Sequence, residues 1–328
     1  MSTGIPPLPS RAERRGQHRR PRSLLKAVWY VFLSILIVGA GYAGYLFFKF
    51  DSLLDHVSSG KSDKAAEEQS ASAKPMAVLL LGLDTRKQTG SLNTDVIMVA
   101  AMNPAKKTAA IISIPRDTYF KPEGYRARKI NSFYSVALKE DKDKADDLLK
   151  SMFGAYLGIP IDYTAVVNFK TFEDIVDNFG GIQVDVDMDM RYVDHADGTD
   201  INLHKGVQVL NGKQALDFVR YRKSNMGTAP SNDFQRNDRQ QKVISAIVDK
   251  FKSLDGALKL GGVLDGMGEN IKTDISKTQL QQFIKTYFGI KNEQIQYYHV
   301  EGSWKSPYTY LDEASLEKAK SLLREQLN

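Results

Sequence analysis

From Ala27 to Phe48 the chain is uncharged and apolar almost throughout, a length matching the roughly 20 residues a helix needs to cross a bilayer core. Past Pro75 the pattern changes to short apolar runs separated by polar or turn residues. Ala77–Leu83, Val96–Met102 and Thr108–Ile114 are rich in Val, Ile and Leu, too short and too evenly apolar for surface helices, and predict strands. Asn103-Pro104 predicts a tight turn between the second and third, and Asp84 to Asp95 forms the loop between the first and second. Further on, apolar positions at helical spacing predict helices near 143–157, 171–179, 211–221, 233–253, 276–288 and 313–326, with strands near 163–169, 182–187 and 294–300. Gly180-Gly181 stops one helix, and Asn211 before Gly212 is a ready N-cap for another. The result is an α/β fold, a sheet covered by helices.

The remaining stretches divide the chain. Residues 1–26 form a basic tail, 27–48 the anchor helix, 49–75 a linker and 76–328 the folded domain. The linker, with Ser58-Ser59-Gly60-Lys61-Ser62 and Ser70-Ala71-Ser72-Ala73-Lys74-Pro75, holds few large apolar side chains after Leu53 and Leu54 and reads as a solvated stalk. Trp29, Tyr30 and Tyr45 lie near the two ends of the apolar run, where amphipathic rings favour the membrane interface. The competing reading is a cleaved signal peptide at Val38-Gly39-Ala40, but the apolar run exceeds the usual length of a signal sequence.

Charge sets the topology. Arg11, Arg14, Arg15, Arg19, Arg20, Arg22 and Lys26 stand against Glu13 alone, an excess equal to the net charge of +6 for the whole chain. Such a cluster keeps the N-terminus in the cytoplasm and puts the domain outside, in a single-pass protein of the cell membrane. It also leaves the domain formally neutral, which argues against nucleic acid as a partner. The chain has no cysteine, which removes disulfides, thiolate nucleophiles and thiolate metal sites. Its five histidines show no zinc-binding pair and no accompanying nucleophile elbow, and His195 and His204 read as loop residues. No Walker or dinucleotide-binding pattern occurs.

Two polar clusters remain. With the first three strands alternating in direction, Asp84 at the exit of the first, Asp95 at the entrance of the second and Arg116 just past the third share one end of the sheet. Two carboxylates beside a guanidinium suit a divalent cation next to a phosphate, although an Asp after a strand is also a common turn residue. In the second cluster Asp233, Arg236 and Gln240 fall at i, i+3 and i+7, and Val243, Ile244, Ile247 and Phe251 continue the stripe as apolar residues. The polar group therefore sits where a buried helix face reaches an opening. Arg220 and Arg222 cannot share a helical face, so either the helix ends there, which is expected, or only one of them points at a ligand.

The motifs Leu79-Leu80-Leu81-Gly82-Leu83-Asp84-Thr85-Arg86, Thr94-Asp95, Ser113-Ile114-Pro115-Arg116-Asp117, Lys129-Ile130-Asn131, Leu210-Asn211-Gly212-Lys213-Gln214-Ala215-Leu216, Arg220-Tyr221-Arg222 and Asp233-Phe234-Gln235-Arg236 with Arg239-Gln240-Gln241 together resemble the LytR-CpsA-Psr family. The ordered match covers roughly residues 75 to 245 and departs from the common pattern at Leu92-Asn93-Thr94-Asp95-Val96. The resemblance implies a three-layer α/β/α fold with a central mixed sheet and a long apolar pocket for a polyprenyl chain. It further implies Mg²⁺-assisted (or Mn²⁺-assisted) transfer of an anionic glycopolymer, such as wall teichoic acid, from a polyprenyl-pyrophosphate carrier to peptidoglycan. Asp84 and Asp95 would hold the metal, and Arg116, Lys129, Arg220, Arg222, Arg236 and Gln240 would bind the pyrophosphate. Asp233 would orient the arginines or assist the metal, Arg86 and Arg239 would support them, and Asp84 or Asp95 would serve as base. The same residues would serve a hydrolase of such precursors, and a noncatalytic lipid-binding scaffold is the reading from another class.

Overall fold

The computed structural model describes residues 38, 40–49, 51–53, 74–83, 92–195, 198–253, 259, 271–276, 279, 282, 286–287 and 290–328, without the side chains of 233, 234, 237, 251, 252 and 292. Two units separate, Met1–Phe48 and Lys49–Asn328. In the first, Val38 and residues 40–48 are helical. Most of the anchor expected over 27–48 lies outside the described residues, and among those described no helix is long and apolar enough to cross a membrane.

The second unit is built on a mixed sheet of six strands. β1 (Met76–Leu83), β2 (Thr94–Asn103) and β3 (Thr108–Ser113), the strands their apolar runs predict, are antiparallel neighbours. β6 (Tyr163–Asn168) runs parallel to β1, β12 (Ile295–His299) runs parallel to β3, and β11 (Ile271–Thr273) closes the edge beside β6. Short pairs stand apart from this sheet: β4 (Tyr119–Phe120) with β5 (Arg128–Lys129), β7 (Ile182–Val186) with β10 (Gly206–Leu210), β8 (Met190–Asp194) with β9 (Thr199–Leu203), and β13 (Gly302–Lys305) with β14 (Tyr308–Leu311). The α-helices are α1 (Phe133–Glu140), α2 (Ala145–Leu157), α3 (Phe169–Asn178), α4 (Gly212–Arg220), α5 (Asp233–Lys252) and α6 (Glu313–Leu327), with short 3₁₀ turns at Ile130–Ser132 and Asn292–Gln294. Of the helix expected near 276–288, residues 276, 279, 282, 286 and 287 are described, and all but Ser276 are helical.

Alternation along β1 divides the interior. Ala77, Leu79 and Leu81 belong to a core completed by Phe133, Leu149, Phe153, Ala319 and Leu323 of α1, α2 and α6. Met76, Val78 and Leu80 belong to a different cluster, with Tyr163 and Ile275. A strand covered on both faces has no polar alternation, which is why MAVLLLGL is apolar throughout. A further core joins Val176, Ile182, Leu210, Phe218, Tyr221 and Val243, and so ties α3, α4 and α5 to the β7–β10 pair.

Local chemistry explains the helix starts. Asn211 and Asn232 each accept from the backbone N–H three residues on, while Gln214 and Gln235 reach back to the cap N–H, so α4 and α5 both begin with a capping box. At Gly212 a Cβ would run into the carbonyl of Glu173 on α3. Only glycine permits that approach, and the Gly212 N–H donates to Asp177 Oδ1 at 2.7 Å. Leu-Asn-Gly-Lys-Gln is thus the docking piece that sets α4 against α3.

Candidate active site

The sheet gathers its polar residues at one end. Antiparallel β1 and β2 put the start of β2 beside the end of β1, and β3 returns to the same end. There Arg116 Nη1 donates to Asp95 Oδ1 at 2.6 Å. The parallel strands deliver their C-termini to this end too, β6 bringing Phe169 and β12 bringing His299, which pairs in register with Ser113. Backbone bonds hold the two strand ends in place. The Asn131 N–H donates to Arg116 O at 3.2 Å, and its carbonyl accepts from Thr94 Oγ1 at 3.2 Å. Lys129-Ile130-Asn131 therefore straddles the segments that carry Asp95 and Arg116.

The other wall comes from α4 and α5. Helix α4 ends at Arg220 as expected, and Tyr221 is extended (φ −58°, ψ 120°). Tyr221 is fully buried, and its hydroxyl donates to Ala229 O at 2.7 Å. Extended backbone turns successive side chains to opposite sides, so a buried Tyr221 lets Arg220 and Arg222 face the same chamber. On α5, Arg236, Gln240, Val243 and Ile244 follow one stripe into the space opposite the sheet. Arg239 points the other way. It is completely buried, bonded to both oxygens of Asp187 at 2.7 Å, to Ser231 Oγ at 2.6 Å and to Tyr221 O at 3.4 Å. It acts from behind by fixing the loop that carries Arg222.

Two cavities meet at this point. One, of about 240 Å³, is walled by the Leu80 side of the sheet and by α3, α4 and α5, and is apolar except near Asn168 and Gln240. The other, of about 190 Å³, is lined by Asp95, Arg116, Arg220, Arg222 and Arg236. They share Val96, Phe169, Leu216, Val219 and Gln240. Gly82 belongs to the apolar wall, and a Cβ there would stand 2.8 Å from Val96 Cβ. The charged chamber continues on one side past Arg220, Arg222 and Lys223 toward Tyr192 and Asp194. On another it continues past Asp117 toward His299 and Thr309.

The chamber is strongly cationic, and parts of it are poised for hydrogen bonds. Among the described residues Arg116 Nε is buried without a hydrogen bond, the Asp117 carboxylate lying 3.7 Å away. Gln240 Oε1, at the neck between the cavities, is buried without a partner among the described residues. A buried polar atom left so costs about 1–3 kcal/mol. Rotating the amide half a turn would present its NH₂ to a phosphoryl oxygen. Arg220 lies over the Phe169 ring at 5.3 Å, which orients the guanidinium at the same neck. In the adjoining cavity burial raises the Asp217 carboxyl above its ordinary range, against the opposing pull of Lys213 at 2.6 Å.

Among the described residues no group of three or more His, Cys, Asp or Glu side chains could hold a metal ion. Mg²⁺ needs less, one or two carboxylates with water and phosphate oxygens completing its shell. Asp95 uses Oδ1 for Arg116 and has Oδ2 to offer, which fits that requirement beside an anionic ligand.

The structure brings together Asp95, Arg116, Arg220, Arg222, Arg236 and Gln240 around one chamber. Lys129 stands one step outside it, 2.9 Å from Asp117 Oδ1. Asp84, Arg86 and the Asp233 side chain lie outside the described residues, although the Asp233 backbone opens α5. His299, Thr309 and Phe169 were not singled out from sequence. The end of the predicted strand near 294–300 was the available signal for His299, and its meaning depends on that strand lying parallel beside β3.

A mixed α/β body with a greasy cavity opening on an arginine-lined chamber defines a class of proteins, and this chain belongs to it: the model of the LytR_cpsA_psr family matches residues 45–325. Relatives include the polyisoprenyl-teichoic acid–peptidoglycan teichoic acid transferase TagV of Bacillus subtilis, 31% identical over 94% of this chain and 80% of its own length. TagT of the same organism is 30% identical over 97% of this chain and 98% of its own. Among solved structures, B. subtilis TagV superposes with a TM-score of 0.60 at 31% identity, covering 77% of this chain and 97% of that one. A structure described as TagT bound to LI-WTA matches with a TM-score of 0.58 at 28% identity, covering 79% and 92%.

Proposed function

We propose that this chain is a membrane-anchored phosphotransferase that moves an anionic glycopolymer, of the teichoic acid kind, from a polyprenyl-pyrophosphate carrier to peptidoglycan. The observation that carries the reading is the shared wall of the two cavities. An apolar space and a chamber of four arginines meet at Val96, Phe169, Leu216, Val219 and Gln240, which suits a molecule that is hydrocarbon at one end and pyrophosphate at the next. The lipid takes the inner cavity of a three-layer α/β/α body.

In this reading a sugar hydroxyl of the acceptor attacks the phosphorus that bears the glycopolymer. A new O–P bond forms, the bridging P–O bond of the pyrophosphate breaks, and polyprenyl phosphate leaves. The hydroxyl proton passes to a carboxylate, Asp84 or Asp95. Arg116, Arg220, Arg222 and Arg236 bind the phosphoryl oxygens and neutralise charge that spreads over them in the transition state. Asp84 and Asp95 would hold a Mg²⁺ that, when bound, adds further charge neutralisation at the phosphates.

The apolar run 27–48 serves as anchor, with the basic tail cytoplasmic, the domain extracytoplasmic and no nucleic acid as partner. Exposed Val38, Phe47 and Phe48, each about 70% accessible, support a lipid environment for that helix. Protease added to intact protoplasts should then remove the domain and spare the tail. The transfer itself is tested by incubating the full chain with lipid-linked glycopolymer and peptidoglycan strands. Glycopolymer joined to the strands supports the reading, and glycopolymer released only to water makes the protein a hydrolase.

A further inference from the structure

Trp304 is 57% exposed on the β13–β14 hairpin. A single exposed ring needs no explanation by itself, but this one occupies a particular place. Its partner across the hairpin is Thr309, so the two side chains share a face. Thr309 lines the arm of the charged chamber that also holds Asp117, Arg116 and His299. The hairpin is fastened to the reacting end of the sheet: the Thr309 N–H donates to Asp117 O at 2.8 Å, and Tyr119 stacks on Tyr310 at 5.4 Å and meets Tyr308 edge-on at 5.2 Å. A line of contacts runs outward from Asp95 to Arg116, to Asp117, to Lys129, and ends with Lys129 Nζ 5.4 Å from the Trp304 ring centre.

We infer that Trp304 is a sugar-stacking platform that holds the acceptor glycan strand beside the phosphate chamber, an inference that rests on the transferase reading above. An indole offers a flat apolar face with a polar edge, the complement of a pyranose, whose C–H face is apolar and whose rim carries hydroxyls. Charge decides which sugar polymer it serves. The arm toward Arg220, Arg222 and Lys223 is cationic and fits the polyanionic donor. Beside Trp304, the Lys129 charge is already met by Asp117, so that surface suits the saccharide chain of the acceptor. The ring is joined through Thr309 to the chamber, so a strand stacked on it and running along that arm takes the approach an attacking hydroxyl needs toward the donor phosphorus.

The test uses the full chain carrying Trp29→Phe, which leaves Trp304 as the only indole of the two in the sequence. Soluble peptidoglycan strands free of glycopolymer should shift its emission saturably, and lipid-linked glycopolymer should not. Trp304→Ala should raise the acceptor KM about tenfold with kcat and donor binding retained, and Trp304→Tyr should recover most of the loss. An emission change produced by the donor alone assigns the ring to the donor and overturns the inference, as does silence toward both or an unchanged acceptor KM. Saturable strand binding in a protein that transfers nothing would support the platform while refuting the transferase reading, so the two failures are distinguishable.

Discussion

Asp95 and Arg116 are separated by the whole of the β2–β3 hairpin and yet joined by a 2.6 Å charge-assisted bond. The bond holds the guanidinium still without satisfying it, because among the described residues Nε has no hydrogen bond of its own. A cation fixed before the ligand arrives requires little reorganisation during the reaction, and that is where most electrostatic catalysis originates.

Arg116→Ala should lower transfer by about 10²–10³ with the thermal unfolding midpoint little changed, since the side chain is 35% exposed. Arg116→Lys should recover little, because an ammonium cannot reproduce the guanidinium fork. Turnover of lipid-linked glycopolymer, followed by gel shift of the acceptor, is the measurement. Wild-type rates in either variant would remove Arg116 from the chemistry.

Chelation should abolish transfer and added Mg²⁺ should restore it. Asp95→Asn should raise the Mg²⁺ concentration needed for half-restoration, because one of the carboxylates available to the ion becomes a neutral amide. A rate indifferent to chelation would remove the metal from the reading.

Ala165→Phe should fill the apolar cavity, which Ala165 lines, at a stability cost of about 1–3 kcal/mol. Mass spectrometry of lipid retained from membrane extract should then show the isoprenoid phosphate lost, whereas inorganic pyrophosphate should still bind the chamber. Equal lipid retention by variant and wild type would locate the chain elsewhere.

Arg239→Ala should destabilise the domain by about 1–3 kcal/mol, because it removes a fully buried side chain and leaves Ser231 and the Asp187 carboxylate, itself about a quarter exposed, without their partner. Replacing both partners by apolar residues, Arg239→Met with Asp187→Leu, should recover much of that loss. The pair also sets an acid response. Burial alone would raise the Asp187 carboxyl, but the hydrogen bonds and charge of Arg239 outweigh it and hold the pKa below its ordinary value. A depressed folded pKa stabilises the protein above the unfolded value of about 3.9 and loses that contribution as the pH falls through the folded pKa. Denaturant titrations from pH 6 downward should show a smaller acid loss in Asp187→Asn than in the wild type.

Much of the fold was legible because it rests on local pattern. The strands β1, β2 and β3 and the helices α2 to α6 lie within a few residues of where apolar period and caps put them, and α4 ends at Arg220, the expected one of the two readings that the spacing of the arginines leaves open. The pairs β8–β9 and β13–β14 were not read, because short hairpins standing outside the main sheet carry too few alternating positions to be distinguished from loops. The motif resemblance makes Lys129 a phosphate ligand, whereas its position beside Asp117 depends on how β5 folds back on β4.

The linear order of residues determined by itself the strands β1 to β3 and the helices α2 to α6, that all the surplus positive charge belongs to the tail, and that Asp95, Arg116, Arg236 and Gln240 deserved chemical roles. Tertiary structure alone decided that Arg239 turns inward while Gln240 turns to the cavity, that His299 and Thr309 join Arg116, and that a hydrocarbon space adjoins the arginines. The reason is physical. Periodicity records which face of an element avoids water, whereas a chamber is made by several elements meeting, and which strands lie side by side is settled by the packing of the whole sheet.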